Sequence, residues 1–251
     1  MRLRELLQQI EYVRQKVGTS PIFICGGIPR DKLLNRIDQI VDLDITTGDA
    51  SIHLLGKALA SSIAGARYKS FSDGHAQVLI SGFKVDFSSN FRVPGVKQML
   101  QRAGMTSPTE MQCELYSRDF TCNALLLSLD LKTIYDPTGL GINDINRQLI
   151  RTCLPAQLAL GSQLSQHKRI VRVLYLAAKL GFDVDDEIIQ WVRANPQSFS
   201  DTRPKYLVEK LQKALDADKE KTVYLINKMN LWKYTPPLSD LVPYMNSPGR
   251  I

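Results

Sequence analysis

"IVDLDITTGD", residues 40–49, sets Asp42 and Asp44 one residue apart in a run of Ile, Val and Leu. The apolar residues read as a strand, and in a strand residues i and i+2 face the same side. Two carboxylates then stand side by side, and like charges that close repel unless a cation lies between them. A divalent metal would resolve the conflict, and so would a water-exposed loop. The flanking sequence has to choose.

Upstream, "PIFICGG" (21–27) reads as a short buried strand ending in paired glycines. "PRDKLLNRI" (29–37) then starts a helix with Pro in the first turn, where its missing N–H costs nothing. "QIVDLDIT" (39–46) is the second strand, and "SIHLLGKALASSI" (51–63) has apolar residues at helical spacing. "RYKSF", "AQVLIS" and "FKVDFSS" (67–71, 76–81, 83–89) are short strands separated by "SDG" and "SG" turns. With an amphipathic helix over residues 1–17, this predicts an α/β (α+β) fold, a small mixed sheet with helices.

From Asn90 to about Gln112 the pattern loosens, which predicts a long loop. "FTCNALLLSLD" (120–130) and "TIYDP" (133–137) end in strand-like runs, and "TGLGINDINRQLIR" (138–151) is a glycine turn entering a helix. Beyond Arg151 the chain reads as helical throughout, with stops at Gly181 and before Pro196. The expected division is a head domain over 1–151 and an all-helical domain over 152–251.

Charge divides at nearly the same place. Residues 1–144 hold 16 Lys and Arg against 15 Asp and Glu, whereas residues 145–251 hold 16 against 10. Most of the net +7 therefore lies in the helical part, as expected of a surface that meets a polyanion. No apolar run approaches the ~20 residues of a membrane span. The N-terminal helix is interrupted by Arg, Glu and Gln, unlike a signal peptide, so a cytoplasmic location is expected. Cys25, Cys113, Cys122 and Cys153 show no CxxC spacing and the histidines are scattered, which predicts reduced thiols and no Cys/His zinc site.

Three features carry chemistry. Gly26 and Gly27 lie between a strand and a helix, where backbone N–H groups can bind phosphate. Asp42 and Asp44 lie on the next strand. Asp86, central in "FKVDFSS", is a third acid that would be costly if buried alone. Three carboxylates beside a phosphate cradle describe a two-metal phosphoryl-transfer site, with Mg²⁺ as the expected ion and Mn²⁺ as its substitute. A lone DxD or GG is weak; the order G-G, R-D, D-x-D and then a third strand Asp is far more restrictive.

"GGIPRDKLLNR…DLDIT", "VDFSSNFR", "LYSRDFTCNALLLSL", "YDPTGLGINDINRQLIR", "RIVRVLYLAAKLGF" and "RPKYLVEKLQKAL" resemble, in order, the motifs of class II tRNA nucleotidyltransferases (CCA-adding enzymes) and bacterial poly(A) polymerases. The resemblance covers roughly residues 21–238 and implies that family's head and neck. It implies Asp42, Asp44 and Asp86 as catalytic metal ligands, and Gly26, Gly27 and Arg30 as holders of a triphosphate. It also implies that Arg118, Asp119 and Asn123 contact ribose and phosphates. ATP or CTP would be the substrate and a tRNA 3′ end the partner. Plainer roles stand beside these: Arg30–Asp31 as a surface ion pair, and Arg118–Asp119 as a helix-start salt link. Asp136 and Asp144 are expected to fix a turn and cap a helix.

The family's base-reading EDxxR reads "SQHKR" here, with Ser165 and Gln166 for the acids and Arg169 kept. Gln offers a donor and an acceptor where ionised Asp only accepts, so Gln166 and Arg169 remain candidates for the base edge with altered selectivity. The match stops about where the family's neck stops. RNA binding is therefore expected to be weak, to involve a smaller acceptor, or to rely on a partner protein or homo-oligomer, unless these residues are a shortened form of a longer chain. The leading expectation is an RNA 3′-end nucleotidyltransferase adding CCA or A to tRNA. Poly(A) addition, a non-catalytic RNA-binding module, and transfer to a non-RNA acceptor are the alternatives.

Overall fold

A computed structural model describes residues 1–37, 40–161, 168–239 and 241. The chain divides into two compact units, Met1–Ile145 and Asn146–Ile251.

The first unit is built on a seven-stranded mixed sheet. In chain order its elements are α1 (Leu3–Val17), β1 (Phe23–Ile24), α2 (Gly27–Leu33), β2 (Asp42–Thr46), α3 (Ile52–Ser62), β3 (Arg67–Ser70), β4 (Ala76–Ile80) and β5 (Phe83–Phe87). There follow α4 (Val96–Arg102), α5 (Glu110–Tyr116), β6 (Leu126–Ser128), β7 (Ile134–Tyr135) and α6 (Gly141–Asn146), whose last residue falls in the second unit. The sheet order is β3-β4-β5-β2-β1-β6-β7. β2 and β5 run parallel, and every other neighbouring pair is antiparallel.

Alternation decides which side the acids take. Leu43 and Ile45 of β2 and Val85 and Phe87 of β5 share one core cluster with Leu6, Ile10 and Val13 of α1 and Ile52, Leu55 and Leu59 of α3. With those side chains committed to the helices, the residues between them, Asp42, Asp44, Lys84 and Asp86, must face the other way. A smaller cluster of Cys25, Leu115 and Leu126, with Met111 and Tyr116 packed on it, brings α5 against the sheet beside β1.

Two expectations are corrected. Residues 90–112 are not a long loop: a 3-10 turn at Asn90–Arg92, α4 and the start of α5 occupy them. The helices form because Val96, Met99 and Leu100 bury one face and Thr109 caps α5, its hydroxyl accepting from Gln112 N at 3.2 Å. The second unit is also not helical throughout. β8 (Leu149–Ile150) and β9 (Asp183–Val184) pair as a short parallel ladder, because Gly181 at φ 73° turns the chain out of the preceding helix.

That unit is otherwise helical: α7 (Ala156–Gly161), α8 (Lys168–Leu180), α9 (Asp186–Ala194), α10 (Pro204–Ala217) and α11 (Lys219–Lys228). Ile170, Val173, Leu174 and Ala177 of α8 are fully buried, as are Leu211 and Ala214 of α10 and Ile226 of α11. Asp185 caps α9 and Asp218 caps α11 through the backbone N–H groups of Glu187 and Lys221. No described helix is long and apolar enough to cross a membrane.

Candidate active site

The parallel pairing of β2 with β5 puts Asp42 opposite Lys84 and Asp44 opposite Asp86. Adjacent strands lie about 4.8 Å apart, so three acids from two strands occupy one patch on the sheet face away from α1 and α3. Asp42 is exposed and Asp86 about one-third exposed, while Asp44 sits deeper. Burial pushes the Asp44 carboxyl above the usual carboxylate range; Asp86 and Asp42 add to this, and Arg118 and Lys84 oppose it.

A cation already answers part of the repulsion. Lys84 Nζ lies 3.3 Å from Asp42 Oδ1 and 3.3 Å from Asp86 Oδ2. Asp86 Oδ1 accepts a hydrogen bond from Gln77 Nε2 at 2.7 Å, across the β4–β5 ladder. Among the described residues no group of three His, Cys, Asp or Glu side chains is gathered as a bound ion would need. The donor chemistry nevertheless suits a hard divalent cation, being carboxylate oxygen on one face.

Gly26 joins this patch from β1. Its φ of 77° is a left-sided conformation that favours glycine, and a Cβ there would come within 2.7 Å of Asp44 Oδ2. The missing side chain is therefore the space into which Asp44 points. At Gly27 a Cβ would approach Arg30 Nη2 to 3.1 Å, so the second glycine lets the arginine fold back over the start of α2.

Arg30 is not part of a surface pair. It is 4% exposed, donates through Nε to Asp31 Oδ1 at 2.8 Å, and donates through Nη1 to Asn123 Oδ1. Asn123 Nδ2 in turn donates to Asp119 Oδ1 at 3.0 Å. Arg30, Asp31, Asn123 and Asp119 thus form one hydrogen-bonded chain linking α2 to the 3-10 turn at Thr121–Asn123.

Arg118 is held from α5 and the end of β5. It pairs with Glu114: Nη2 donates to Glu114 Oε1 at 2.8 Å, to Cys25 Sγ at 2.9 Å and to Ser88 Oγ at 3.3 Å. Its Nε is a buried donor without a hydrogen-bond partner among the described residues. Glu114 is fully buried and also accepts from Ser88 Oγ at 2.6 Å and Phe91 N at 3.1 Å. Burial works against the Arg118 charge, and Cys25, Glu114 and Asp44 more than restore it, so its pKa is raised. Burial pushes the Cys25 thiol up to about 12. Glu114 escaped the sequence reading, although its i, i+4 spacing from Arg118 is the signal that would have found it.

Asp136 fixes its turn as expected, accepting from Thr138 Oγ1 at 2.8 Å and Ile142 N at 2.9 Å. Asp144 does not cap a helix. It is fully buried within α6 and accepts from Thr121 Oγ1 at 2.7 Å. The close approach that allows this is made at Gly141, where a Cβ would meet Thr121 O at 2.6 Å.

In the second unit Arg169 is 7% exposed and donates through Nη1 to Ala159 O at 3.0 Å. Ser165, Gln166 and His167 lie outside the described residues. Lys168 Nζ lies 5.8 Å from the Tyr206 ring centre, and Lys210 Nζ lies 5.3 Å from Tyr206 and 5.8 Å from Tyr175. Cations and aromatic faces alternate there between α8 and α10.

Residues 22–151 match the family of the poly(A) polymerase head domain. Over 170 residues the chain is 30% identical to the CC-adding tRNA nucleotidyltransferase of Geobacter sulfurreducens, covering 66% of this chain and 34% of that protein. Over 231 residues it is 26% identical to the CCA-adding enzyme of a Geobacillus species, covering 90% of this chain and 53% of that one. The crystal structure of the Bacillus stearothermophilus CCA-adding enzyme in complex with CTP superposes with a TM-score of 0.70 at 22% identity. That superposition covers 94% of this chain and 53% of the other, and at this identity it speaks for the fold. The chain thus spans between a third and about half of these relatives' lengths.

Proposed function

The chain belongs to the poly(A) polymerase head-domain family, which the class II tRNA nucleotidyltransferases share, and on that premise we propose that it transfers nucleotides from NTP to an RNA 3′ end, releasing pyrophosphate. The acceptor on this reading is a tRNA that receives C, A or CCA without a template. The observation that carries the proposal is the in-register pairing of Asp44 with Asp86, with Asp42 on the same face.

Asp42, Asp44 and Asp86 are the residues that would hold Mg²⁺ or Mn²⁺, which when bound lowers the pKa of the attacking 3′-hydroxyl and neutralises charge on the leaving pyrophosphate. The chain's own groups set the stage. Gly26, having no side chain, lets the Asp44 carboxylate lie against the turn before α2, where backbone N–H groups are proposed to meet a phosphate. Arg30, fixed by Asp31 and Asn123, is the cation proposed for the triphosphate, and Asp119 with Asn123 the pair proposed for the ribose. Glu114 and Ser88 hold Arg118 near Asp44, which keeps a positive charge close to the buried acid and to the proposed place of the ribose and phosphates. In the second unit Gln166 and Arg169 are proposed to read the base, and Lys168, Tyr175, Tyr206 and Lys210 to meet RNA, since aromatic rings set among cations suit single strands. Such work on tRNA fits a cytoplasmic chain.

The test is incorporation of each of the four labelled NTPs into tRNA lacking its CCA end, with Mg²⁺ or Mn²⁺. The expected product is a tail of one to three nucleotides made from CTP or ATP. An unbounded A tail would move the assignment to poly(A) addition, and no incorporation under any condition would remove it. A second reading, a non-catalytic RNA binder, is favoured by the hold of Lys84 on Asp42 and Asp86 and by the altered EDxxR. It requires RNA binding that is indifferent to Mg²⁺-ATP, which the same preparation can measure.

A further inference from the structure

Lys84 is absent from the motif reading, yet among the described residues it is the cation that pairs with the acidic face. It lies opposite Asp42 in the β2–β5 register and two residues before Asp86, so its side chain rises between the two carboxylates. Its Nζ takes Asp42 Oδ1 and Asp86 Oδ2 at 3.3 Å each. The other Asp86 oxygen is taken by Gln77 Nε2 at 2.7 Å. An ion that sought Asp86 would therefore find one oxygen engaged by an amide and the other by an ammonium. The Lys84 side chain is 37% exposed, which leaves it room to swing into solvent.

We infer that Lys84 is the chain's own counter-ion for this site: it holds Asp42 and Asp86 in place when no divalent cation is bound, and it gives them up when one binds. The inference rests on the metal-site reading above and deepens it. A lysine in this place keeps the acids from repelling one another apart, so the ligands stay arranged, at a cost in metal affinity. Because Lys84 acts through the carboxylates, it is a positioning residue.

The inference has a direct consequence for Lys84→Met. Removing the competitor should tighten Mn²⁺ binding by about three- to tenfold, the worth of one or two partly exposed ion pairs. The same substitution should lower the melting temperature of the chelator-treated protein and enlarge its rise on adding Mn²⁺. Lys84→Arg, which keeps the charge, should stay close to wild type in both readouts. Mn²⁺ affinity is read by titration followed by electron paramagnetic resonance, on the whole chain, with circular dichroism confirming the fold. If Lys84→Met is unfolded, Lys84→Gln is read in its place. Wild-type binding with equal or weaker binding by the variant overturns the role of Lys84 alone. Absence of binding by wild type and variant overturns both the metal reading and this inference. The two failures are thus distinguishable.

Discussion

Asp44 and Asp86 stand directly opposite each other across the parallel β2–β5 pair, the single parallel junction in the seven-stranded sheet. In a parallel ladder opposite residues point the same way, so two acids 42 positions apart in sequence project from neighbouring strands into one space. Asp42 joins them by the two-residue period of β2. Everything chemical proposed for the protein depends on that register, because a slip of one residue would turn Asp86 into the α1–α3 core.

Asp42→Ala should remove nucleotide transfer while changing stability by no more than about 0.5 kcal/mol. Asp42 is exposed, and its ion pair with Lys84 is offset by relief of its repulsion with Asp44 and Asp86. Incorporation assays beside urea denaturation check both halves. Transfer near the wild-type rate would show that this acid is not a ligand.

Glu114→Ala should destabilise the first unit by about 3–5 kcal/mol, since it leaves the Arg118 guanidinium buried without its carboxylate. Replacing both residues by Met should cost less than removing Glu114 alone, because no unpaired charge remains. Equilibrium unfolding of the single and double variants decides this, and a double variant less stable than Glu114→Ala would refute the account.

Gly26→Ala should cost about 1–3 kcal/mol from the φ of 77° alone. It should also lower transfer in the fraction that stays folded, since the new methyl would need the position of Asp44 Oδ2. Comparing rates at a temperature where the variant is fully folded separates the two effects.

Asp49 provides a pH prediction away from the acidic patch. Burial raises its pKa, but hydrogen bonds from Ser20, Ser51 and Thr47 outweigh this and hold it below the ordinary value of 3.8. A lowered folded-state pKa means that its contribution is present above pH 3.8 and lost as pH falls through the lower folded value. Asp49→Ala should therefore cost about 1–2 kcal/mol at pH 7, where the turn after β2 loses its hydrogen bonds to Asp49, and progressively less as pH falls below 3.8. Thermal melts of both proteins across that range test it.

The sequence made the acids legible because strand period and helix period are local. Asp42, Asp44 and Asp86 each sit in an apolar run that reads as a strand, and the paired glycines lead into a helix, Gly26 before it and Gly27 as its first residue. The partners of those residues were not legible. Lys84 matters through its cross-strand neighbour, and Glu114 through Ser88 and Phe91 in other segments, contacts that depend on tertiary register. The α4 and α5 helices were hidden by Pro94, Gly95, Gly104 and Pro108, which punctuate the segment so closely that each seven-residue helix looks like loop. The motif names Arg118 without its partner, and the buried carboxylate of Glu114 that holds it appears only in the fold.

The central claim is that the three acids share one divalent-cation site. It is tested most directly by a crystal of the protein soaked with Mn²⁺ and a non-hydrolysable ATP or CTP analogue, with the anomalous signal locating the ion. The account predicts a peak within about 2.5 Å of carboxylate oxygens of Asp42 and Asp44, with Asp86 beside it and the Lys84 ammonium moved away. A peak elsewhere, or Lys84 still bridging Asp42 and Asp86 beneath a bound nucleotide, would contradict it.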